Sequence, residues 1–219
     1  MGRKHRSDHE IINEALNLDG DPDKVRRFYD RWAGDYDSDV GGHDYAGPRV
    51  AAELLDRHFG LLAPKDRAGL VVLDAGCGTG LAGTELHALG YRHIQGYDLS
   101  PQMAARAEAT GHYDQVIGDV DMMRAEDHYD AGAFDAITCV GVFTLGHVPP
   151  EALHVLVRLL RPGGLVVVST RTEYFDETDY AQVAADMIGS GAMRLVEAIE
   201  SAHYVDGSKS HFFAYQKAG

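Results

Sequence analysis

The chain predicts an α/β fold: a mostly parallel seven-stranded sheet that ends in a C-terminal antiparallel hairpin and carries an N-terminal helical cap. Three observations predict it. Between residues 70 and 170, short apolar runs alternate with stretches of helical length, as strands and crossover helices do in a parallel sheet. Residues 21–65 carry helical rather than strand periodicity. After residue 190 the pattern changes to two β-rich runs joined by a turn, which a hairpin explains.

In order, residues 1–20 are polar and mixed in charge and read as a flexible terminus. From Pro22 to Asp37, Val25, Phe28 or Tyr29, Trp32 and Tyr36 fall on one helical face. Pro22 stands near the start, and Asp21 and Asp23 complement the positive end of the helix dipole. A glycine-rich link, 41–47, leads to a second amphipathic helix from Pro48 to about Leu62. Residues 21–65 therefore form a cap and residues 66–219 the ligand-binding domain. Strands are expected at 70–75, 93–97, 115–118, 134–140 and 165–170, and helices at 80–89, 101–110, 150–160 and 179–189. Arg161-Pro162-Gly163-Gly164 reads as a helix stop before the most apolar strand, Leu165 to Val168. Residues 195–204 and 210–216 make the hairpin, turning through Val205-Asp206-Gly207-Ser208-Lys209.

The most informative segment is Val71-Val72-Leu73-Asp74-Ala75-Gly76-Cys77-Gly78-Thr79-Gly80. An apolar strand runs into an acidic residue and then a turn with glycine at every second position. Glycine lacks a Cβ and tolerates positive φ, so the backbone can approach a ligand closely. The helix that follows offers its free N–H groups. Two cofactors compete for such a loop. Gly78-Thr79-Gly80-Leu81-Ala82-Gly83 satisfies the G-x-G-x-x-G dinucleotide pattern, in which the strand feeds almost directly into the first glycine. Here Asp74 stands at the mouth of the loop, where a carboxylate repels a pyrophosphate and suits a cofactor with a cationic amino group. Asp98, about twenty residues past the loop, ends the second strand and can accept from both ribose hydroxyls of either cofactor. Ser100 suits the N-cap of the following helix better than Asp98 does.

The D-x-G-x-G-x-G arrangement resembles motif I of the class I S-adenosylmethionine (SAM) methyltransferases. Gly118-Asp119-Val120, Phe134 to Val140 and Leu160-Arg161-Pro162-Gly163-Gly164-Leu165 resemble that family's later motifs, in order, over residues 70–170. The resemblance implies a Rossmann-like fold with S-adenosylmethionine as cofactor and S-adenosylhomocysteine as product. It puts Asp74, Gly76, Gly78, Gly80, Asp98, Leu99 and Cys139 at the cofactor, with Asp119 near the adenine amino group and Val120 on the ring. Phe28 to Asp37 resembles the Y-D-x-W-A-x-x-Y-D lid of small-molecule methyltransferases, which adds Tyr29, Trp32 and Tyr36 as aromatic faces for a sulfonium. With Gly141 to Val148 and Ser169 to Tyr174, most of the chain after residue 25 is similar to the Williams–Beuren-region methyltransferase-like group.

Methyl transfer is an in-line displacement that requires donor and acceptor to be held close, with water excluded. His147, in the loop after the fourth strand, is the only neutral-pH base there and is the general-base candidate. Phe143 in that loop, Tyr174 and Phe175 after the fifth strand, and Tyr45 in the linker are the expected acceptor contacts. The N-P-P-Y or D-P-P-Y motif of base N-methyltransferases is replaced by Cys139-Val140-Gly141-Val142, and no carboxylate set for magnesium follows the fourth strand. The expected reaction is methyl transfer to oxygen, nitrogen or sulfur of a small molecule. The alternatives are a SAM-binding sensor or interaction protein without transfer activity, a nicotinamide oxidoreductase using Gly78 to Gly83, and protein methylation.

With 20 basic and 34 acidic residues the formal charge is −14, which repels phosphate backbones and argues against nucleic acid. Neutral or cationic small acceptors suit such a surface. The apolar runs fall short of membrane-spanning length, and the first residues lack the apolar core of a signal peptide. Two cysteines make no disulfide framework, and the scattered histidines show no metal-ligand pattern. The cytoplasm is the expected location.

Overall fold

The structure, a computed structural model, describes residues 11, 14, 15, 18–41, 45–62, 66–205 and 207–219. Of the proposed flexible terminus, 1–20, residues 1–10, 12, 13, 16 and 17 lie outside the described residues, as do 42–44 of the linker, 63–65 of the cap and Asp206 of the hairpin turn.

Seven strands form one sheet in the order β3-β2-β1-β4-β5-β7-β6. They are β1 (Val71–Ala75), β2 (His93–Tyr97), β3 (Gln115–Ile117), β4 (Phe134–Phe143), β5 (Leu160–Arg171), β6 (Met193–His203) and β7 (Lys209–Lys217). The first five are parallel, and β7 runs antiparallel to both β5 and β6. The chain goes outward from β1 through β2 to β3, then returns to place β4 on the other side of β1. That reversal leaves a crevice at the carboxyl ends of β1, β2 and β4, where ligands of open α/β sheets bind.

Alternation along the strands gives the sheet two apolar faces. Leu73, Ile137, Val166 and Val168 meet helices α6 (Ala152–Leu159) and α8 (Tyr180–Gly189). Val72, Ile94, Ala136, Leu165 and Val167 meet α3 (Gly47–Arg57) and α4 (Leu81–Ala88). Both faces are covered, so the central strands read as continuous apolar runs. Helix α3 buries Ala51, Ala52, Leu54 and Leu55 against this second face. It packs as a layer helix of the sheet.

The amino-terminal helices are shorter than their periodicity predicts. Helix α1 spans Pro22–Trp32, with Pro22 in its first turn and Asp21 as N-cap accepting from the N–H groups of Asp23 and Lys24. It buries Val25, Phe28 and Trp32, then stops, and α2 (Tyr36–Gly41) resumes after a turn through Gly34. The second helix ends at Arg57, and a 3₁₀ turn carries Phe59–Leu62.

Two strands are longer than expected. Strand β4 continues to Phe143 by shifting register against β5 between Cys139 and Phe143, where Gly141 has φ +79°. Strand β5 begins at Leu160, so Arg161 to Gly164 is an irregular part of the strand after a helix that already ends at Leu159. The Arg161 guanidinium holds it there by pairing with buried Asp135, whose other oxygen accepts from the Val71 N–H. Residues 172–177, which carry the expected acceptor contacts Tyr174 and Phe175, fold as helix α7. Helix α5 (Pro101–Ala109) starts with Ser100 as N-cap, its Oγ accepting from Met103 N–H.

Candidate active site

The glycine loop leaves β1 at Ala75, and Gly76, Gly78 and Gly80 have φ of +69°, +54° and +94°. At Gly78 a Cβ would meet nothing within 4 Å, so backbone conformation alone, with the side facing open space, requires glycine. Asp98 fixes this turn. Its Oδ2 accepts from the Gly78 N–H at 2.8 Å and its Oδ1 from the Ser100 N–H at 2.8 Å. Burial pushes the Asp98 carboxyl up to about 6, against the pull of those two N–H groups.

Asp74 is buried at the end of β1, where Oδ2 accepts from the Tyr113 hydroxyl at 2.7 Å and Oδ1 from Thr138 Oγ1 at 3.1 Å. Burial raises its carboxyl to about 6, and the two hydroxyls offset part of that rise. Tyr113 was not singled out from the sequence, yet it explains a glycine that was. A Cβ on Gly83 would stand 2.2 Å from the Tyr113 ring and hydroxyl. The third glycine of G-x-G-x-x-G thus makes room for a tyrosine of the protein.

The crevice encloses about 980 Å³ including its open mouth. Of the predicted cofactor residues, Asp74, Gly76, Gly78, Asp98, Leu99 and Val120 line it, as do the cap residues Tyr29 and Tyr36. Tyr45 and His147 line it too. Its charged lining among the described residues is Asp74, Asp98 and Asp121, with no lysine or arginine. Val140, Gly141 and Val142, at the register shift between β4 and β5, line it as well. Met103 and Met122 add apolar wall.

A second, half-open chamber of about 530 Å³, counting the solvent at its mouth, shares Tyr29, Tyr36, Tyr45, Gly141 and His147 with the first. Trp32 lines only this second chamber, its Nε1–H donating to Asp39 at 2.7 Å. Arg171, the first residue of the stretch after the fifth strand that was expected to wall the acceptor, lines it as well, and so does Tyr204, which was not singled out from the sequence. The hydroxyls of Tyr45 and Tyr204 lie 3.0 Å apart in its wall.

The remaining predicted residues line neither chamber. Gly80 packs on Ala107, where a Cβ would come within 2.9 Å of its Cα. Asp119 turns outward with φ +62° and pairs with Arg26 of α1 at 3.0 Å. Cys139 and Phe143 are fully buried on the α6 side of the sheet. Tyr174 is buried with them, donating to the Val148 carbonyl at 2.9 Å, and Phe175 packs on His211 and Phe213. Once 172–177 is helical, these two aromatics serve the core.

His147 sits between the chambers. Nδ1 lies 3.0 Å from the Leu145 carbonyl and Nε2 lies 2.8 Å from the Tyr29 hydroxyl. A carbonyl only accepts, so Nδ1 carries the proton and Nε2 presents its lone pair to Tyr29. Burial holds the imidazole below its ordinary value, opposed by the Leu145 carbonyl. It is a neutral base at pH 7.

The cap is fastened to the loop by its own carboxylates. Asp30 accepts from Ser100 Oγ at 2.6 Å, Asp37 accepts from Thr79 Oγ1, and Arg106 donates to the Gly34 carbonyl at 3.1 Å. Among the described residues, no three His, Cys, Asp or Glu side chains are grouped to hold a metal, and no helix is long and apolar enough to cross a membrane.

Comparison with known proteins agrees with this geometry. Residues 44–204 match a family described as Methyltransferase domain. The chain is similar to Methyltransferase-like protein 27 of Homo sapiens, 40% identical over 159 residues, covering 70% of this chain and 61% of that one. It is 34% identical over 154 residues to a ubiquinone biosynthesis O-methyltransferase of Xanthomonas oryzae pv. oryzae, covering 68% of this chain and 59% of that one. A TehB-like SAM-dependent methyltransferase from Corynebacterium glutamicum superposes with a TM-score of 0.59 at 25% identity, over 90% of this chain and 100% of that one. The chain thus spans about three-fifths of the length of the two curated relatives.

Proposed function

The chain belongs to the class I SAM-dependent methyltransferases, and from that premise we propose that it moves a methyl group to oxygen, nitrogen or sulfur of a small molecule. The observation that carries this reading is the charge of the crevice: three aspartates, tyrosine faces and no cation among its described lining. A pyrophosphate would be repelled there, whereas a ligand with an ammonium and a sulfonium is matched by the carboxylates and the aromatic rings. The residues present fit S-adenosylmethionine.

When bound, that cofactor supplies an electrophilic methyl group and is released as S-adenosylhomocysteine. Asp98 has carboxylate lone pairs free to receive ribose hydroxyls while its two N–H bonds hold the loop. Leu99, Met103, Val120 and Met122 offer apolar surface for a base, with Asp121 beside them. Gly76 and Gly78 let the backbone come close, and Asp74 supplies negative charge below them. Tyr29, Tyr36 and Tyr45 stand between the chambers and keep water from the transfer line. A protic acceptor in the second chamber gives its proton to His147 Nε2, either directly or through the Tyr29 oxygen, which passes its own proton on.

The test is label transfer. The protein is incubated with methyl-labelled SAM and a fractionated small-molecule extract, with Asp98→Ala as control. Label entering a low-mass fraction only with the wild type is the expected result. Tight SAM binding with no label in any fraction would favour a sensor that binds the cofactor without using it.

A further inference from the structure

The second chamber holds one feature that methyl transfer as such does not require. Its described walls are apolar, aromatic or hydroxyl-bearing apart from His147 and Arg171, and Arg171 is the only one of them charged at neutral pH. The Arg171 side chain is 11% exposed. Its Nε is buried and makes no hydrogen bond; it forms an ion pair with the exposed Glu173, whose nearest oxygen stands 3.6 Å away, beyond hydrogen-bonding distance. The guanidinium carbon lies 5.7 Å from the centroid of the Tyr204 ring. Across the β5–β7 pair Arg171 faces Ser210, so the two side chains leave the sheet on the same side. The Ser210 hydroxyl is also buried without a partner. Ser210 is not among the residues that line the chamber, so the donor left for a ligand there is the Arg171 guanidinium, which is costly to bury unless an acceptor completes it.

We infer that the methyl acceptor is an aromatic carboxylate whose acid group seats on Arg171, with a protic acceptor atom at its other end. This deepens the methyltransferase reading and rests on it. Trp32, Tyr36 and Tyr204 supply the ring faces, and His147 with Tyr29 meets the acceptor atom, whose proton goes to Nε2 as its bond to the methyl carbon forms and the methyl–sulfur bond breaks, its electron pair leaving on S-adenosylhomocysteine. A guanidinium suits a planar carboxylate because it can donate two parallel hydrogen bonds. A dianionic phosphate is disfavoured, since one arginine near Glu173 in a chain of net charge −14 leaves it undercompensated. The acidic surface led the sequence reading toward neutral or cationic acceptors. Net charge governs long-range approach, but the fixed charge inside the chamber governs what is seated there.

The test is calorimetric titration of the protein saturated with S-adenosylhomocysteine. The probes are 3-hydroxybenzoate, 4-hydroxybenzoate and 3-(4-hydroxyphenyl)propionate, each against its primary amide. The acids are expected to bind at least about tenfold tighter than the amides, a difference of about 1.4 kcal/mol. Arg171→Gln should remove that preference while leaving amide and S-adenosylhomocysteine affinities within about twofold. Equal binding of acid and amide by the wild type overturns the inference, as does a panel with no millimolar binder or a preference that survives Arg171→Gln. Should that variant fail to fold, the wild-type comparison and Arg171→Lys decide alone. Binding of S-adenosylhomocysteine without acid preference sinks only the acceptor class. Failure to bind S-adenosylhomocysteine sinks the methyltransferase reading and this inference with it.

Discussion

Tyr29 of the cap and His147 of the loop after β4 are joined by a 2.8 Å hydrogen bond between the phenolic oxygen and Nε2, where the two chambers meet. The bond links the amino-terminal cap to the loop after β4 across 118 positions, and the Leu145 carbonyl fixes which nitrogen is free. If the pair removes the acceptor proton, His147→Gln should lower kcat by about 10²- to 10⁴-fold while S-adenosylhomocysteine affinity stays within a few-fold. Tyr29→Phe should cost less, since Nε2 remains. Because His147 is held below 6.5, the wild-type kcat should be flat above that pH and fall below it. A pH–rate profile that keeps its acid limb in His147→Gln would show that another group titrates.

Asp98 and Asp119 both come from motifs for cofactor contact, but the structure separates them. Asp98→Ala removes a charged acceptor and releases the Gly78 N–H, so its loss should cost about 1.5–3 kcal/mol, roughly 10- to 150-fold in S-adenosylhomocysteine Kd. Asp119 is 64% exposed and paired with Arg26, and such pairs contribute less than about 1 kcal/mol. Asp119→Ala should therefore change Kd by less than about fivefold. An equal loss in the two variants would mean that Asp119 leaves Arg26 when the ligand binds.

Gly83 and Tyr113 form a testable couple. Gly83→Ala places a methyl 2.2 Å from Tyr113, and overpacking of this kind costs about 1–3 kcal/mol. In a Tyr113→Ala background the same methyl finds space, so urea midpoints should be strongly non-additive. Additive losses would show that Tyr113 does not occupy the space Gly83 leaves.

The buried Asp74 makes stability depend on pH in a direction that can be worked out. Its carboxyl rises from an ordinary 3.8 to about 6 in the folded protein, so between those values the folded state holds a proton the unfolded state has lost. Stability from this group is present below 3.8 and lost as pH rises through about 6, a swing on the order of 3 kcal/mol. Asp74→Asn removes the swing. The variant's stability relative to wild type should increase between pH 4 and pH 7.5 in denaturant titrations. An unchanged difference would show that Asp74 keeps its ordinary value.

Much of this architecture is local and was legible. Short apolar runs placed β1 and β2, β-rich runs on either side of a turn placed the hairpin, and the glycine loop followed by Asp98 located the crevice because those features depend on neighbouring backbone geometry. The β4 bulge was not legible, since it arises from Ser169 Oγ accepting the Gly141 N–H from the next strand. Tyr174 and Phe175 looked like an aromatic wall in one dimension and became core because α7 folds back on β5 and β7.

The sequence by itself determined the fold class, the position of the cofactor loop, and the acidic residues at the ends of β1 and β2. Those follow from periodicity and from the conformations that glycine alone adopts freely. Only the tertiary structure decided what each side chain faces. Tyr113 beneath Gly83, Arg26 on Asp119, and Arg171 beside Tyr204 all meet across separate elements, and packing rather than spacing sets such contacts.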